Sequence, residues 1–262
     1  MLARAVRISA YHIHRTGSID GKDEELKTLI EKAWEKHPAY GHIRLGLHLC
    51  INHKRVSRVM KKFGMKPPRR KIHHFCTQST SHHAYENLFR DMAATHPNYV
   101  WCADVSFIPF DGRWWYLSSV EDVCTRQVLA AQVGKYHTAE LVLTTVQQAI
   151  KNAHTVPEIF HTDQGTEFLA KGVTEYLEGK GVQISVSDTA SPWQNGYKES
   201  FFGKFKQEFG DFNRFETVGE LIEEIYSQVR YYNEDRIHRS LKMPPATYAL
   251  FLSENSRRIW GT

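Results

Sequence analysis

The sequence predicts an α/β fold: a mixed five-stranded sheet flanked by helices, preceded by a small helical module. Three observations carry this expectation. From Tyr99 onward, three runs rich in β-branched and aromatic residues follow one another across short turns. Beyond them, strand-like runs alternate with segments of helical period. Before residue 98 the apolar spacing is helical, and the last of those helices is basic. Hairpin-linked strands followed by helical crossovers give antiparallel and parallel pairs in one sheet, with helices on both faces.

Residues 1–22 form an N-terminal segment with little periodic signal, and Ile19-Asp20-Gly21-Lys22 reads as a turn. A helical domain is expected over 23–66. Leu26, Leu29, Ile30, Ala33 and Trp34 recur at helical spacing from Asp23. Asp23, Glu24 and Glu25 fall in the expected first turn, where acids favour the helix dipole. Pro38 and Gly41 end this helix, and a second, short one covers Ile43 to Leu49. Asn52 caps a third, which runs to Phe63 and stops at Gly64. Val56, Val59, Met60 and Phe63 make its apolar face, and Arg55, Arg58 and Lys62 its basic one. Three short helices with a basic last one fit a helix-turn-helix-like DNA-binding domain. Arg69 and Arg70 continue the basic track. Phosphate contact alone accounts for such charges, and a helical bundle with a solvated basic face has the same pattern. Residues 67–97 read as a linker. His73, His74, Cys76, His82 and His83 lie within it, at spacings that fit no common zinc finger.

The core is expected over 98–215. Tyr99 to Phe110 reads as a strand with Asp104 in its middle. An acid in a central strand is costly unless it is paired or binds a metal. Asp111-Gly112-Arg113 is a hairpin turn to a second strand, Trp114 to Val123, and Val128 to Val133 makes a third. Asp122, at a strand end beside Thr125-Arg126, reads as a turn residue. Thr138 caps a helix carrying Val142, Val146, Ala149 and Ile150, and Pro157 leads into a strand at Glu158–His161. Asp163 and Gly165 follow it. Phe168, Leu169, Val173, Tyr176 and Leu177 mark another helix, and Val182 to Val186 the fifth strand. Asp188 to Asn195 reads as a loop. In the helix after it, Tyr197, Phe201, Phe202, Phe205 and Phe209 share one face, with Glu199, Gly203 and Lys206 opposite. Residues 216–262 make a C-terminal helical tail.

Charge is uneven along the chain. Residues 1–98 hold 18 Lys and Arg against 8 Asp and Glu, and 99–262 hold 16 against 21. That split suits polyanion binding joined to a cation-binding catalytic half. Nothing reads as a membrane span, signal peptide or lipidation site, so a soluble intracellular protein is expected. Four widely spaced cysteines without a C-x-x-C pattern suit free thiols in a reducing compartment. No Walker-type glycine loop and no Ser/His/Asp arrangement competes with the acids. Asp104, Asp163 and Glu199, from three different elements, suit hard cations such as Mg²⁺, two of which can act on a phosphodiester.

Trp101-Cys102-Ala103-Asp104, His161-Thr162-Asp163-Gln164-Gly165 and Asn195-Gly196-Tyr197-Lys198-Glu199-Ser200-Phe201-Phe202 resemble the D,D(35)E core of retroviral integrases and bacterial insertion-sequence transposases. Thirty-five residues lie between Asp163 and Glu199. Tyr232-Asn233-Glu234-Asp235-Arg236-Ile237-His238, with Leu241 and Pro244-Pro245, resembles the C-terminal signature of those transposases, and His37-Pro38-Ala39-Tyr40-Gly41 onward their helix-turn-helix segment. The resemblance implies an RNase H-like fold and Mg²⁺ or Mn²⁺, with two ions held by Asp104, Asp163 and Glu199. It implies 3′-end cleavage followed by strand transfer into target DNA, with Lys206 touching DNA near the element end. It further implies a homo-multimer on paired DNA ends, a partner or fusion from an upstream helix-turn-helix reading frame, and a bacterial, cytoplasmic, nucleoid-associated location. The chain departs from the family pattern at Ser106, where Thr is frequent, and at Gln194-Asn195-Gly196, where Asp-Asn-Ala is frequent. Two other readings stand beside this one: a catalytically silent DNA-binding relic or regulator, and an RNase H-type nuclease that only hydrolyses.

Overall fold

The computed structural model describes residues 10–68, 85–90, 92–188 and 196–260, with the helix turns 10–19 and 256–260 given as backbone. Contacts divide the chain into two compact units, one up to residue 69 and one from residue 70. Arg69, Arg70, the linker histidines with Cys76, and loop residues 189–195 lie outside the described residues.

The first unit holds three helices: α1 (Ala10–Lys36), α2 (His42–His48) and α3 (His53–Lys62). Asn52 caps α3 by accepting from the Lys54 N–H, and Gly64 follows the helix at a φ of 65°, as expected. The expected turn at Ile19–Lys22 and the helix start at Asp23 are corrected: α1 runs straight through both. One glycine costs a helix only about 1 kcal/mol, and the contacts of Asp23 with α3 outweigh it. Asp23 is buried and receives Arg58 Nη1 at 2.7 Å, Arg58 Nη2 at 2.5 Å and Lys62 Nζ at 3.1 Å. Its carboxyl is held down at about 2, first by the bond from Arg58. Leu29, expected on the apolar face, is exposed.

The second unit is built on five strands: β1 (Val100–Phe110), β2 (Arg113–Asp122), β3 (Val128–Gly134), β4 (Ile159–Thr162) and β5 (Gln183–Val186). Their order is β3-β2-β1-β4-β5, with β1–β2 and β2–β3 antiparallel and β1–β4 and β4–β5 parallel. The mixed sheet expected from the sequence is therefore present. Asp111 and Gly112 both take positive φ, as a two-residue hairpin turn requires. Thr138 caps α4 (Ala139–Ala153) by accepting from the Leu141 N–H. Helix α5 (Lys171–Glu178) begins after Phe168 and Leu169, which pack from the preceding turn instead of the expected helix.

The two faces of the sheet differ. Trp101, Ala103, Val120, Phe160 and Ile184 point to one face and pack on Val142, Val146 and Ala149 of α4 and Val173 and Leu177 of α5. The other face is apolar at one end only. There Ile108 and Leu117, with Val128 of β3 further along the face, meet Phe201, Phe202, Phe205 and Phe209 of α6 (Gly196–Phe209) and Leu221, Ile225 and Tyr232 of α7 (Val218–Glu234). The other end of that face carries Cys102, Asp104, Ser119, Glu121 and His161, by strand alternation.

The tail signature fastens α6 and α7 to the sheet. Asn233 accepts from the Val128 N–H at 2.9 Å and donates to the Val128 carbonyl at 2.8 Å, as an extra strand would. Arg236 forks onto Glu208 of α6, with Nε 2.7 Å from Oε2 and Nη2 2.8 Å from Oε1. A final helix, α8 (Pro245–Trp260), follows. Among the described residues no helix is long and apolar enough to cross a membrane.

Candidate active site

Asp104 lies mid-strand in β1, and Asp163 is the first residue after β4. The parallel register that pairs Cys102 with His161 brings Asp104 beside Asp163 two residues further on. Each acid has a local anchor. Asp104 Oδ1 accepts from the Val105 N–H at 2.8 Å, and Asp163 Oδ1 from the Gly165 N–H at 3.0 Å. Both keep part of their surface open. Burial, and then the charge of Asp163, push the Asp104 carboxyl up to about 7. Asp163 is raised as well, by burial ahead of the other causes; the Gly165 N–H and the nearby His137 oppose the rise, and Glu167 adds to it.

Two further groups complete this end of the sheet, and neither was legible as a site residue. His137, just before the α4 cap, meets Glu167 with Nε2 2.7 Å from Oε1. The buried His161 ring is fixed between two hydroxyls, Ser185 at 2.9 Å from Nδ1 and Ser187 at 3.1 Å from Nε2. Asp122 behaves as the expected turn residue. Its Oδ1 accepts from the Thr125 N–H at 2.6 Å and the Thr125 hydroxyl at 2.8 Å, and its Oδ2 from the Asn98 N–H at 2.5 Å.

Glu199 lies off the phenylalanine face, as its helical position predicts, but does not join the other two acids in a cluster. It sits in the first turn of α6, exposed, while its neighbour Lys198 is fully buried. Burying Phe201, Phe202, Phe205 and Phe209 sets the rotation of α6, and one residue further along a helix is about 100° around it. That phase turns position 198 inward and position 199 outward. Lys198 Nζ donates to Ser119 Oγ at 2.6 Å. Burial lowers its pKa, while Glu121 and Asp104 hold its charge in place. Gly203, expected on the open side, is buried too. The structure thus brings two of the three acids together. Among the described residues no three His, Cys, Asp or Glu side chains stand as a metal cluster.

The pair still fits a divalent cation. Two neighbouring carboxylates, each resisting ionisation, form a hard oxygen donor set that a cation relieves. Of the residues expected to touch DNA, Lys206 lies half-buried two turns beyond Glu199. Arg55 donates to the Lys22 carbonyl at 3.3 Å, and Arg58 and Lys62 serve Asp23. Much of the basic face of α3 is therefore engaged within its own unit.

Comparison with known proteins identifies the family. Two integrase core domain family models match, over residues 94–192 and 180–245. A transposase-like protein of Haemophilus influenzae is 32% identical over 201 residues, covering 76% of this chain and 93% of the relative. The transposase of insertion sequence element IS904 from Lactococcus lactis is 30% identical, over 87% of this chain and 95% of its own length. The chain belongs to the insertion-sequence transposase family. The putative transposase of element IS150 from Escherichia coli is likewise 30% identical, over 91% of this chain and 87% of the relative. Among solved structures, the HTLV-2 integrase catalytic core domain in complex with magnesium aligns with a TM-score of 0.50 at 17% identity, over 60% of this chain and 99% of that one. The simian T-cell lymphotropic virus intasome aligns at 0.52 and 15% identity, over 80% of this chain and 70% of that one. Those likenesses establish the integrase, RNase H-like fold for this chain.

Proposed function

We propose that this transposase frees the 3′ ends of an insertion element and joins them to target DNA. The observation that supports it is the Asp104–Asp163 pair on adjacent strands, in a chain of this family. A water oxygen attacks the phosphorus at the element end, the bond to the 3′ oxygen breaks, and that oxygen leaves as a hydroxyl. The freed hydroxyl then attacks a target phosphodiester and displaces the target's own 3′ oxygen. Divalent cations, Mg²⁺ or Mn²⁺, would polarise the phosphodiester and favour the deprotonated attacking oxygen.

Asp104 and Asp163 would hold the cations, and Glu199 would be the third ligand on the strength of its motif. Because Glu199 faces outward, this role requires the first turn of α6 to reseat when cation and DNA bind. His161, locked by Ser185 and Ser187, fixes the end of β4 from which Asp163 projects. Lys206, Arg55, Arg69 and Arg70 contact phosphates, with Arg58 and Lys62 in support. The active species is a multimer on paired ends, alone or fused to an upstream reading-frame product, in the bacterial cytoplasm.

The test uses the purified chain, labelled linear DNA bearing candidate ends, and a plasmid target, with Mg²⁺ or Mn²⁺, beside Asp163→Asn. Metal-dependent joining of 3′ ends, lost in the variant, is the expected result. Nicking without joining would favour a nuclease, and DNA binding without reaction a silent relic.

A further inference from the structure

On the polar end of the sheet that also carries Asp104, lined in part by the first turns of α6, lies a cavity of about 1080 Å³. That is slightly above the range for pockets that house small ligands, roughly 300–1,000 Å³. Its lining is chemically unusual. Glu121 is 2% exposed, and its Oε2 has no hydrogen-bond partner. Arg126 has buried Nε and Nη1 atoms without an acceptor. Orphaned buried polar atoms are rare in folded proteins. Three of the five among the described residues belong to these two side chains, and both line this cavity.

The backbone is shaped to present them. A register shift between Val120 and Glu121 interrupts the β2–β3 ladder, and such bulges re-aim a side chain. Arg126 holds φ at 63°, a left-handed conformation rare outside glycine, tied by its N–H to the Asp122 carbonyl at 2.8 Å. Its guanidinium then lies 4.0 Å from the Tyr197 ring centre. Tyr197 and Phe201 supply an aromatic wall, and Lys204 and the exposed Arg239 also line the cavity. The acid asks for a donor, the guanidinium for an acceptor, the wall for a flat ring, and the two cations for an anion. The base and phosphate of one nucleotide supply all four.

We propose that this cavity receives a single unpaired nucleotide, its base amino group donating to Glu121 and a ring acceptor facing Arg126. Lys204 and Arg239 take its phosphate. Adenine, cytosine and guanine carry both the amino group and the acceptor; thymine lacks the amino group. A base leaves its stack most readily where the strand is already unpaired. This inference rests on the DNA-acting reading above, and names a nucleotide-holding site lined by residues other than Asp104 and Asp163.

The test measures anisotropy of the full chain with a labelled blunt duplex and with the same duplex bearing a short unpaired cytosine or thymine tail. A cytosine tail should tighten binding at least about fivefold, the low end of what one base stacked on an aromatic ring contributes. A thymine tail should gain clearly less. Glu121→Leu, which removes the buried acid whose Oε2 has no hydrogen-bond partner, should erase the cytosine preference and leave blunt-duplex affinity as it was. Arg239→Ala, at an exposed position, should weaken both tails alike. Titration with dCMP and dTMP separates the sources. Glu121-dependent binding of dCMP without any tail effect would keep the nucleotide site and assign it to free nucleotide. Equal affinity for blunt and tailed duplexes together with no dCMP binding, or a cytosine preference that survives Glu121→Leu, would overturn the proposal. Blunt-duplex affinity reports on the DNA-acting reading independently.

Discussion

Removing the Arg236 guanidinium should loosen the helix that carries Glu199. Arg236 and Glu208 have side chains only 3% and 7% exposed, and they are joined through Nε and Nη2 to both carboxylate oxygens. Arg236→Ala takes the guanidinium fork from the Glu208 carboxylate in a site from which water is nearly excluded. Breaking a buried pair from one side costs about 3–5 kcal/mol. For a unit of this size each kcal/mol lowers the melting midpoint by about 2–4 °C. The expected loss is therefore ~6–20 °C in the thermal unfolding of the full chain, followed by circular dichroism. Arg236→Lys keeps the charge but not the fork, and should fall between. The double change Glu208→Leu with Arg236→Met leaves no stranded charge and should recover most of the loss. A shift under about 2 °C for Arg236→Ala would refute the reasoning, as would a double variant no more stable than the single.

Three other outcomes follow from the same structure. Asp163→Asn removes the repulsion that raises Asp104, so in chelator the variant should melt above the parent. Added Mg²⁺ at about a hundredfold over its Kd should stabilise the parent by ~2.7 kcal/mol and leave the variant unmoved; calorimetry reads both. Asp23 is held down at about 2 by Arg58, below its value in the unfolded chain, near 3.9. Its stabilising effect is thus complete above the unfolded value and is lost as pH falls toward 2. Acid unfolding followed by circular dichroism should begin at higher pH in the parent's own profile than charge-free controls predict, and Asp23→Asn should flatten that limb. Gly46→Ala would set a Cβ 2.9 Å from the Ile51 carbonyl oxygen and 3.0 Å from His53 Cα, both on backbone. Overpacking of this kind costs about 1–3 kcal/mol, to be read as a lower urea midpoint.

The elements with strong local signals were legible. Alternation and hairpin chemistry located β1, β2 and β3, Thr138 and Asn52 marked helix starts, and Asp122 was correctly a turn residue. Helix α1 was read too short because a glycine and a turn-like run are weak local penalties, and the Asp23 contacts with α3 that override them are long-range.

What the sequence alone determined is the set of parts: the mixed sheet, the aromatic face of α6, the acids at family spacing and the tail signature. These are fixed by period, cap chemistry and residue type, all of them local. Only the tertiary structure decided how the parts meet. It placed Asp104 beside Asp163 through strand register, and buried Lys198 against Ser119. It gave Asn233 and Arg236 their work as fasteners, and left Glu121 Oε2 and Arg126 Nε and Nη1 without hydrogen bonds beside one cavity. The physical reason is common to all four. Each depends on helix phase or strand pairing, and those are set by burial of apolar surface between segments far apart in the chain.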